Sequence, residues 1–319
     1  MIRVIPIASE SLGVRSLCTF VEAKGYKILL DPGAALGVRR RLMPHKREFE
    51  ALLEAKKKII DYASKADYIF ISHYHHDHYS PFYADYMFRS DEEIASMIYE
   101  NAEKVFAKSL EDLNKNQLSR AKDLRKHLEG KIEPADNRVV KISDDLVLEF
   151  SPPLWHGEPG TKLGKVVAVR IINGEDVIVF APDVQGPVDE EAMRRILKKK
   201  PRLIIVGGPA TYLKGHRVKS KAVDKAIENV RELAKRVDTI IIDHHIVRDP
   251  KRREKLSKAF EEAEKRKHKI LTFAQYLGVE ERPLEAMRKK LYDEEPLPEG
   301  RHEFIKKVKK RDRIGLELP

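Results

Sequence analysis

Six consecutive residues, His73-Tyr74-His75-His76-Asp77-His78, follow directly on the apolar, β-branched and aromatic run Ala66-Asp67-Tyr68-Ile69-Phe70-Ile71-Ser72. Such a run reads as a strand that empties into a loop, so the histidines stand at a strand's end. In extended backbone, side chains two residues apart point the same way. His73 and His75 can therefore close on one ion, while the turn carries Asp77 and His78 onward toward a second. Imidazoles with a carboxylate are a metal-ligating set, and the spacing predicts a metal site written into one loop.

The rest of the composition narrows what kind of protein can carry that loop. The chain has 319 residues, 42% of them hydrophobic, enough for a sizeable core. No apolar run approaches the length of a membrane span, and the opening Met1-Ile2-Arg3-Val4-Ile5-Pro6-Ile7 is too short and too quickly polar for a signal peptide. A cytoplasmic protein without a membrane partner is expected. Cys18 is the only cysteine, which excludes an intramolecular disulfide and a cysteine-ligated structural zinc, so a metal must rest on His and Asp. Charged residues make up 35% of the chain, a balance resembling thermophile proteins with surface ion-pair networks. The formal net charge of +11 admits a polyanionic partner, although runs such as Lys198-Lys199-Lys200 and 306–310 read as solvated helix faces. Oligomeric state leaves no mark in the sequence.

Along the chain, three short β-type runs open the fold at 3–8, 17–22 and 26–30, the last two joined by Ala23-Lys24-Gly25 as in a hairpin. A helix is predicted over 47–64, then the metal strand. Residues 82–135 read as a helical insertion, charged and apolar at helical spacing, placed to wall or cover the site. Strands follow at 139–142, 146–150, 166–172 and 177–181, with Asn173-Gly174 as a hairpin signal. From there helices at 188–199, 219–236 and 250–267 alternate with strands at 203–206, 239–242 and 269–272, as βα units do. A C-terminal helical segment spans 273–319. Two sheets between helical layers, an α+β protein in a single αββα domain over 1–319, is the expected architecture.

Other histidines and aspartates also stand where predicted strands stop. His156 follows the strand at 146–150, Asp183 ends Val177-Ile178-Val179-Phe180-Ala181-Pro182, and His244 and His245 end Ile240-Ile241-Ile242-Asp243. Each alone is an ordinary turn residue, but with the HxHxDH loop they reinforce one another. Over residues 3 to 250 the chain resembles the metallo-β-lactamase-fold hydrolase superfamily, in which an early Asp, the HxHxDH loop, a later His, a bridging Asp and a final His occur in this order. The resemblance implies a four-layer αββα sandwich with one ion on His73, His75 and His156. A second would lie on Asp77, His78 and one of His244 and His245, with Asp183 bridging. Of the last pair, His245 is favoured, because an apolar Ile246 follows it. Asp31, ending the run Lys27-Ile28-Leu29-Leu30, matches the early Asp that orients ligands by hydrogen bonding. Phe180-Ala181-Pro182-Asp183-Val184-Gln185-Gly186-Pro187 and Ile242-Asp243-His244-His245-Ile246-Val247-Arg248-Asp249 look like an uncharacterised, largely archaeal branch of that superfamily. The helical insertion departs from the β-lactamases themselves, and no RNA-gripping arm like that of the processing ribonucleases is evident.

Two ions roughly 3.5 to 4 Å apart would activate a shared water, so hydrolysis is the implied chemistry. Zn²⁺ is the expected metal, with Mn²⁺, Fe²⁺ or Ni²⁺ also compatible with the ligand types. Asp77 would help hold the nucleophile, and whichever of His244 and His245 is not a ligand, or His76, would carry a proton to the leaving group. The turn Gly207-Gly208-Pro209-Ala210-Thr211-Tyr212 and Arg15 are candidate substrate-binding elements, with Arg39 to Arg41 and His45 nearby. The favoured substrate is a phosphodiester, in nucleic acid or a nucleotide. The alternatives are a carbon ester, thioester, lactone or amide, or a non-hydrolytic di-iron or metal-binding protein.

Overall fold

Antiparallel hairpins open the first sheet and parallel strands complete it. β1 (Arg3–Ser9), β2 (Leu17–Ala23) and β3 (Tyr26–Leu30) pair antiparallel, and β4 (Tyr68–Ile71) then adds parallel to β3 across α1 (Lys46–Ala63). The computed structural model describes residues 1–297 and 301–309. The stretch 82–135 differs from its reading as a helical insertion. It does carry α2 (Glu92–Tyr99) and α3 (Lys115–His127), but β5 (Lys104–Ala107) and β6 (Ile132–Pro134) extend the first sheet in parallel, giving the order β1-β2-β3-β4-β5-β6. Lys104-Val105-Phe106-Ala107 is too short and too charged at its start to stand out from the helical periodicity on either side.

The second half builds the second sheet. β7 (Val139–Lys141) and β8 (Leu146–Phe150) lead to a two-stranded ladder of β9 (Leu154–Trp155) and β10 (Lys165–Val166), then to β11 (Val169–Asn173) and β12 (Asp176–Ala181). The run predicted as one strand over 166–172 is thus broken. At the break Val167 N–H donates to the carbonyl of Ser72 (3.0 Å), tying this half to the metal loop. Beyond β12 the βα alternation appears as expected: α4 (Glu190–Leu197), β13 (Leu203–Gly207), α5 (Ser220–Ala234), β14 (Thr239–Asp243), α6 (Arg252–Lys255), α7 (Ser257–Lys265) and β15 (Lys269–Leu271). The sheet order is β15-β14-β13-β12-β11-β8-β7, with β12 to β15 parallel.

Three apolar layers separate four structural layers, so the architecture is the αββα sandwich. Between the sheets lie Ile28, Leu30, Phe70, Phe150, Ile178, Phe180 and Ile205, with the rings of Phe70 and Phe106 both about 5 Å from Phe150 (5.2 and 5.3 Å). Outside the first sheet, Phe49, Leu52 and Ile59 of α1 and Ile94 and Ile98 of α2 cover Leu29, Ile69 and Ile71. Outside the second, Val230 and Leu233 of α5 and Ala259 and Ala263 of α7 cover Ile204, Val206 and Ile240. The segment after β15 carries α8 (Phe273–Leu277), α9 (Leu284–Glu294) and α10 (Arg301–Lys309). Leu284, Leu291, Phe304 and Val308 return to the core beneath α1. Residues 310–319 of the predicted C-terminal helical segment lie outside the described residues. Among the described residues no helix is long and apolar enough to cross a membrane.

Candidate metal centre

Sheet register brings the first polar residues beyond the strands together. Leu30 of β3 stands opposite Phe70 of β4, so Asp31 and Ser72, the next residues out, meet. The fully buried Asp31 carboxylate accepts from Ser72 N–H (2.7 Å), Ser72 Oγ–H (2.7 Å) and His78 Nδ1–H (2.7 Å). Ser72 Oγ, having given its proton to Asp31, accepts from His73 Nδ1–H (2.9 Å). Both imidazoles therefore carry their proton on Nδ1 and turn an Nε2 lone pair inward, the tautomer a metal ligand needs.

The other strand ends point at the same place. His73 Nε2 lies 3.0 Å from His75 Nδ1. Asp183, beyond β12, places Oδ2 at 2.9 Å from His156 Nε2, 3.3 Å from His78 Nε2 and 3.6 Å from His73 Nε2, and Oδ1 at 3.5 Å from His244 Nε2. Asp77 Oδ2 lies 3.4 Å from His244 Nε2. Close backbone passage makes this possible: a Cβ on Gly207, at the end of β13, would stand 3.0 Å from Asp183 Oδ1. Behind His156, the Gln185 amide nitrogen lies 3.3 Å from Nδ1. Gln185 is clamped there by Gly157, whose φ of +90° and lack of Cβ leave it room.

Four overlapping donor groups result: His73, His75, His156 and Asp183; Asp31, His73 and His78; Asp77, His78 and His244; and Asp183, His244 and His245. The Nε2 atoms of His78, His156, His244 and His245 and the Oδ1 of Asp183 are buried without a hydrogen-bond partner. Orphaned polar atoms cost on the order of 1–3 kcal/mol each in a folded protein, so a converging set of them calls for a cation. The donor types, imidazole and carboxylate, fit a divalent metal. Electrostatics agree. Burial alone would push the Asp183 carboxyl up, but His78, His245, His244 and His156 together hold it well below the usual range. Burial first, then neighbouring imidazoles, drives His75 down to about 3, leaving its nitrogen lone pairs available.

The two histidines of the last pair face the cluster differently, both with Nε2 at 3.5 Å from Asp183. β14 ends at Asp243, whose carboxylate accepts from Ser11 N–H (3.1 Å), Phe273 N–H (2.8 Å) and His244 N–H (2.6 Å). His244 then takes a left-handed φ of +61°, which breaks the pleat and aims its ring at Asp77 and Asp183. His245 falls to the cavity side, with Nε2 at 3.5 Å from Asp183 Oδ2 and Nδ1 at 3.3 Å from Arg248 Nη1. His76 points away, stacked on Phe88 (4.0 Å between centroids) and hydrogen-bonded to Tyr83.

In front of the cluster opens a cavity of about 1020 Å³. Arg15 and Tyr212 both line it, but neither side chain is free. Arg15 forms a bidentate pair with Glu285 of α9 (2.6 and 2.9 Å), and Tyr212 OH accepts from Arg248 Nη1 (3.1 Å) beneath the guanidinium of Arg39. His45 lies outside the cavity, where it caps α1. Sequence reasoning missed Glu10, Glu285 and Arg248, which make this wall: Arg248 Nε bonds Glu10, and Arg39 reaches Glu285 (3.4 Å). Their partners lie more than two hundred positions away in the chain, so no local pattern announces them.

No family model matches the chain. It is similar to a UPF0282 protein of Methanopyrus kandleri, 41% identical over 297 residues that cover 92% of this chain and 100% of that one. A UPF0282 protein of Thermococcus gammatolerans is 44% identical over 298 residues, covering 92% and 96%. Among solved structures it is similar to a metal-dependent hydrolase of the β-lactamase superfamily, with a TM-score of 0.46 and 14% identity over 85% of this chain and 96% of that one.

Proposed function

The chain belongs to the UPF0282 family, and we propose that it is a metal-dependent hydrolase of phosphodiesters, with two divalent ions, Zn²⁺ first among them, at the strand-end cluster. The observation that carries this reading is the convergence of buried, partnerless imidazole and carboxylate atoms into overlapping donor groups, with Asp183 in two of them. His73, His75 and His156 would hold one ion and Asp77, His78 and His244 the other, with Asp183 between them. Ions held there would supply Lewis acidity, bringing the pKa of a shared water toward neutrality and drawing charge from the oxygens of the scissile bond.

The chain's own side chains divide the remaining work. Asp31 holds His78, and through Ser72 also His73, so that neither ligand has to reorganise. Arg248 can only donate, so the His245 Nδ1 that it faces is an acceptor and the His245 proton sits on Nε2, which faces Asp183 Oδ2 at 3.5 Å beside the cavity. Burial keeps this ring neutral, its pKa lowered to about 3. His245 is thus placed as a neutral hydrogen-bond donor to a leaving oxygen. His244 Nδ1 meets Arg248 at 3.4 Å, with the Glu10 carboxylate at 3.7 Å, and its Nε2 faces Asp77 and Asp183. The phosphodiester preference rests on the excess of guanidinium over carboxylate in the wall, where Arg15, Arg39, Arg40 and Arg248 stand with Glu10 and Glu285. Residues 1–319 act as one unit in this reading, because α9 supplies Glu285 to that wall, and the setting is cytoplasmic.

Asp183→Asn is the test. Metal analysis should show about two ions per chain in the parent protein and fewer in the variant. Hydrolysis of bis(p-nitrophenyl) phosphate should fall at least about a hundredfold. Two ions retained in the variant would refute the bridging assignment. Faster turnover of lactones or thioesters than of phosphodiesters would move the reading to a carbon-centred substrate.

A further inference from the structure

Beside His75, on the side away from the arginine wall, lies a second pocket of about 390 Å³, lined by Asn114, Lys115, Asn116, Arg120 and Lys162. His75, Lys162 and Leu163 line both this pocket and the main cavity, so the two are continuous past the metal cluster. The smaller pocket has no carboxylate in its lining. Cations close by are paired: Lys165 with Asp112 (2.8 Å) and Lys219 with Glu158 (2.7 Å). Lys115 and Lys162 have no acidic partner among the described residues.

The pocket is also built to hold its shape. Buried Gln117 accepts from the N–H of Tyr74, between the two histidines His73 and His75, and donates through Nε2 to the carbonyl of Leu163 (3.1 and 2.7 Å). Asn114 Nδ2 donates to the carbonyls of Lys162 and Leu163 (3.2 and 3.1 Å). Arg120 Nη1 donates to the carbonyl of Tyr74 (3.1 Å). The start of α3, the loop around Lys162 and the metal loop are thereby pinned to one another. The backbone that carries Lys115 and Lys162, two exposed ammonium groups, is thereby held in place relative to His75.

Like charges that line one pocket without an acid repel one another, an arrangement that a bound anion relieves. Resting on the phosphodiesterase reading above, we propose that this pocket is a second phosphate subsite. It would take the phosphate next to the scissile one in a nucleic-acid strand, gripped by Lys115 and Lys162 with the Asn116 amide and Arg120 at its edge. The substrate is then a strand with at least one phosphate beyond the one cut, rather than an isolated diester.

Thymidine dinucleotides with and without a 5′- or 3′-terminal phosphate, and the trinucleotide, test this on the full metal-loaded chain. A terminal phosphate on the correct side, or the extra nucleotide, should raise kcat/KM by about tenfold. In the Lys115→Gln/Lys162→Gln double variant that ratio should fall below about twofold, and the log–log salt dependence should flatten by roughly 0.7 for each phosphate no longer neutralised. If only the terminal phosphate raises the rate and the trinucleotide does not, the subsite takes a chain end and the strand assignment is overturned. No gain in the parent protein, or a gain that survives in the variant, overturns the subsite. Binding separates this from failure of the hydrolase reading. Fluorescence anisotropy of a labelled oligothymidylate on the chelator-treated protein should still show about tenfold weaker binding in the double variant. Equal affinities would reject the subsite whatever the protein hydrolyses, while absence of all diester hydrolysis with that binding difference intact would reject only the hydrolase.

Discussion

The turn after β4 and the turn after β14 both deliver imidazoles from the end of a parallel strand to Asp183, yet they treat the far nitrogen of those rings differently. Behind His78 stands the carboxylate of Asp31 at 2.7 Å, an acceptor that fixes the proton on Nδ1. Behind His245 stands the guanidinium of Arg248 at 3.3 Å, which can only donate and so fixes the proton on Nε2. Behind His244 stand both kinds of group, Arg248 at 3.4 Å and Glu10 at 3.7 Å. At similar distances from Asp183, the group on the far side of each ring bears on which nitrogen carries the proton.

The largest expected effect comes from removing the carboxylate of the first turn. Asp31→Ala strands His78 Nδ1–H and both donors of Ser72 in a fully buried place. Loss of one partner from such a charged network costs about 3–5 kcal/mol. Chemical denaturation should show that loss, and metal affinity should fall by at least about a hundredfold. A variant that keeps both stability and metal would show that the first turn holds its tautomers by some other means.

Next in size is the contrast within the second turn. His244→Ala should lose about one ion per chain. His245→Ala should retain both ions and lose roughly ten- to a hundredfold in kcat, as removal of a hydrogen-bond donor to a leaving group does. Metal stoichiometry of the two purified variants decides it, and the reverse pattern would return the ligand role to His245.

The same contrast marks how far the sequence could be read. The meeting of His73, His75, Asp77 and His78 was legible because period-two geometry in one short loop is local information, and His156 and Asp183 were legible as residues placed where apolar runs stop. The different placements of His244 and His245 were not, because a left-handed φ at His244 breaks the alternation that pattern reasoning extrapolates. The αββα layering followed from the order of alternating and continuous apolar runs, but β5 and β6 were hidden between helices of similar charge. Arg15 read as a candidate substrate contact; Glu285, which holds it, lies on α9, 270 positions away.

The smallest effect sharpens the comparison most, because it tests the one ring that faces both kinds of group. Glu10 is almost wholly buried, bonded to Arg248 and beside His244. Burial pushes its carboxyl up, against the pull of Arg248. Glu10→Gln keeps the volume and a hydrogen bond to Arg248 but removes the charge that favours a proton on His244 Nδ1. If that carboxylate is what sets the His244 tautomer, competition with a chelating dye should show one ion bound about tenfold more weakly and the other unchanged. The parent and variant should melt within a few degrees of each other when stripped of metal. Equal weakening of both ions would mean that Glu10 acts through general packing of the wall, and the second turn would then owe its ligand to the backbone geometry at His244 alone.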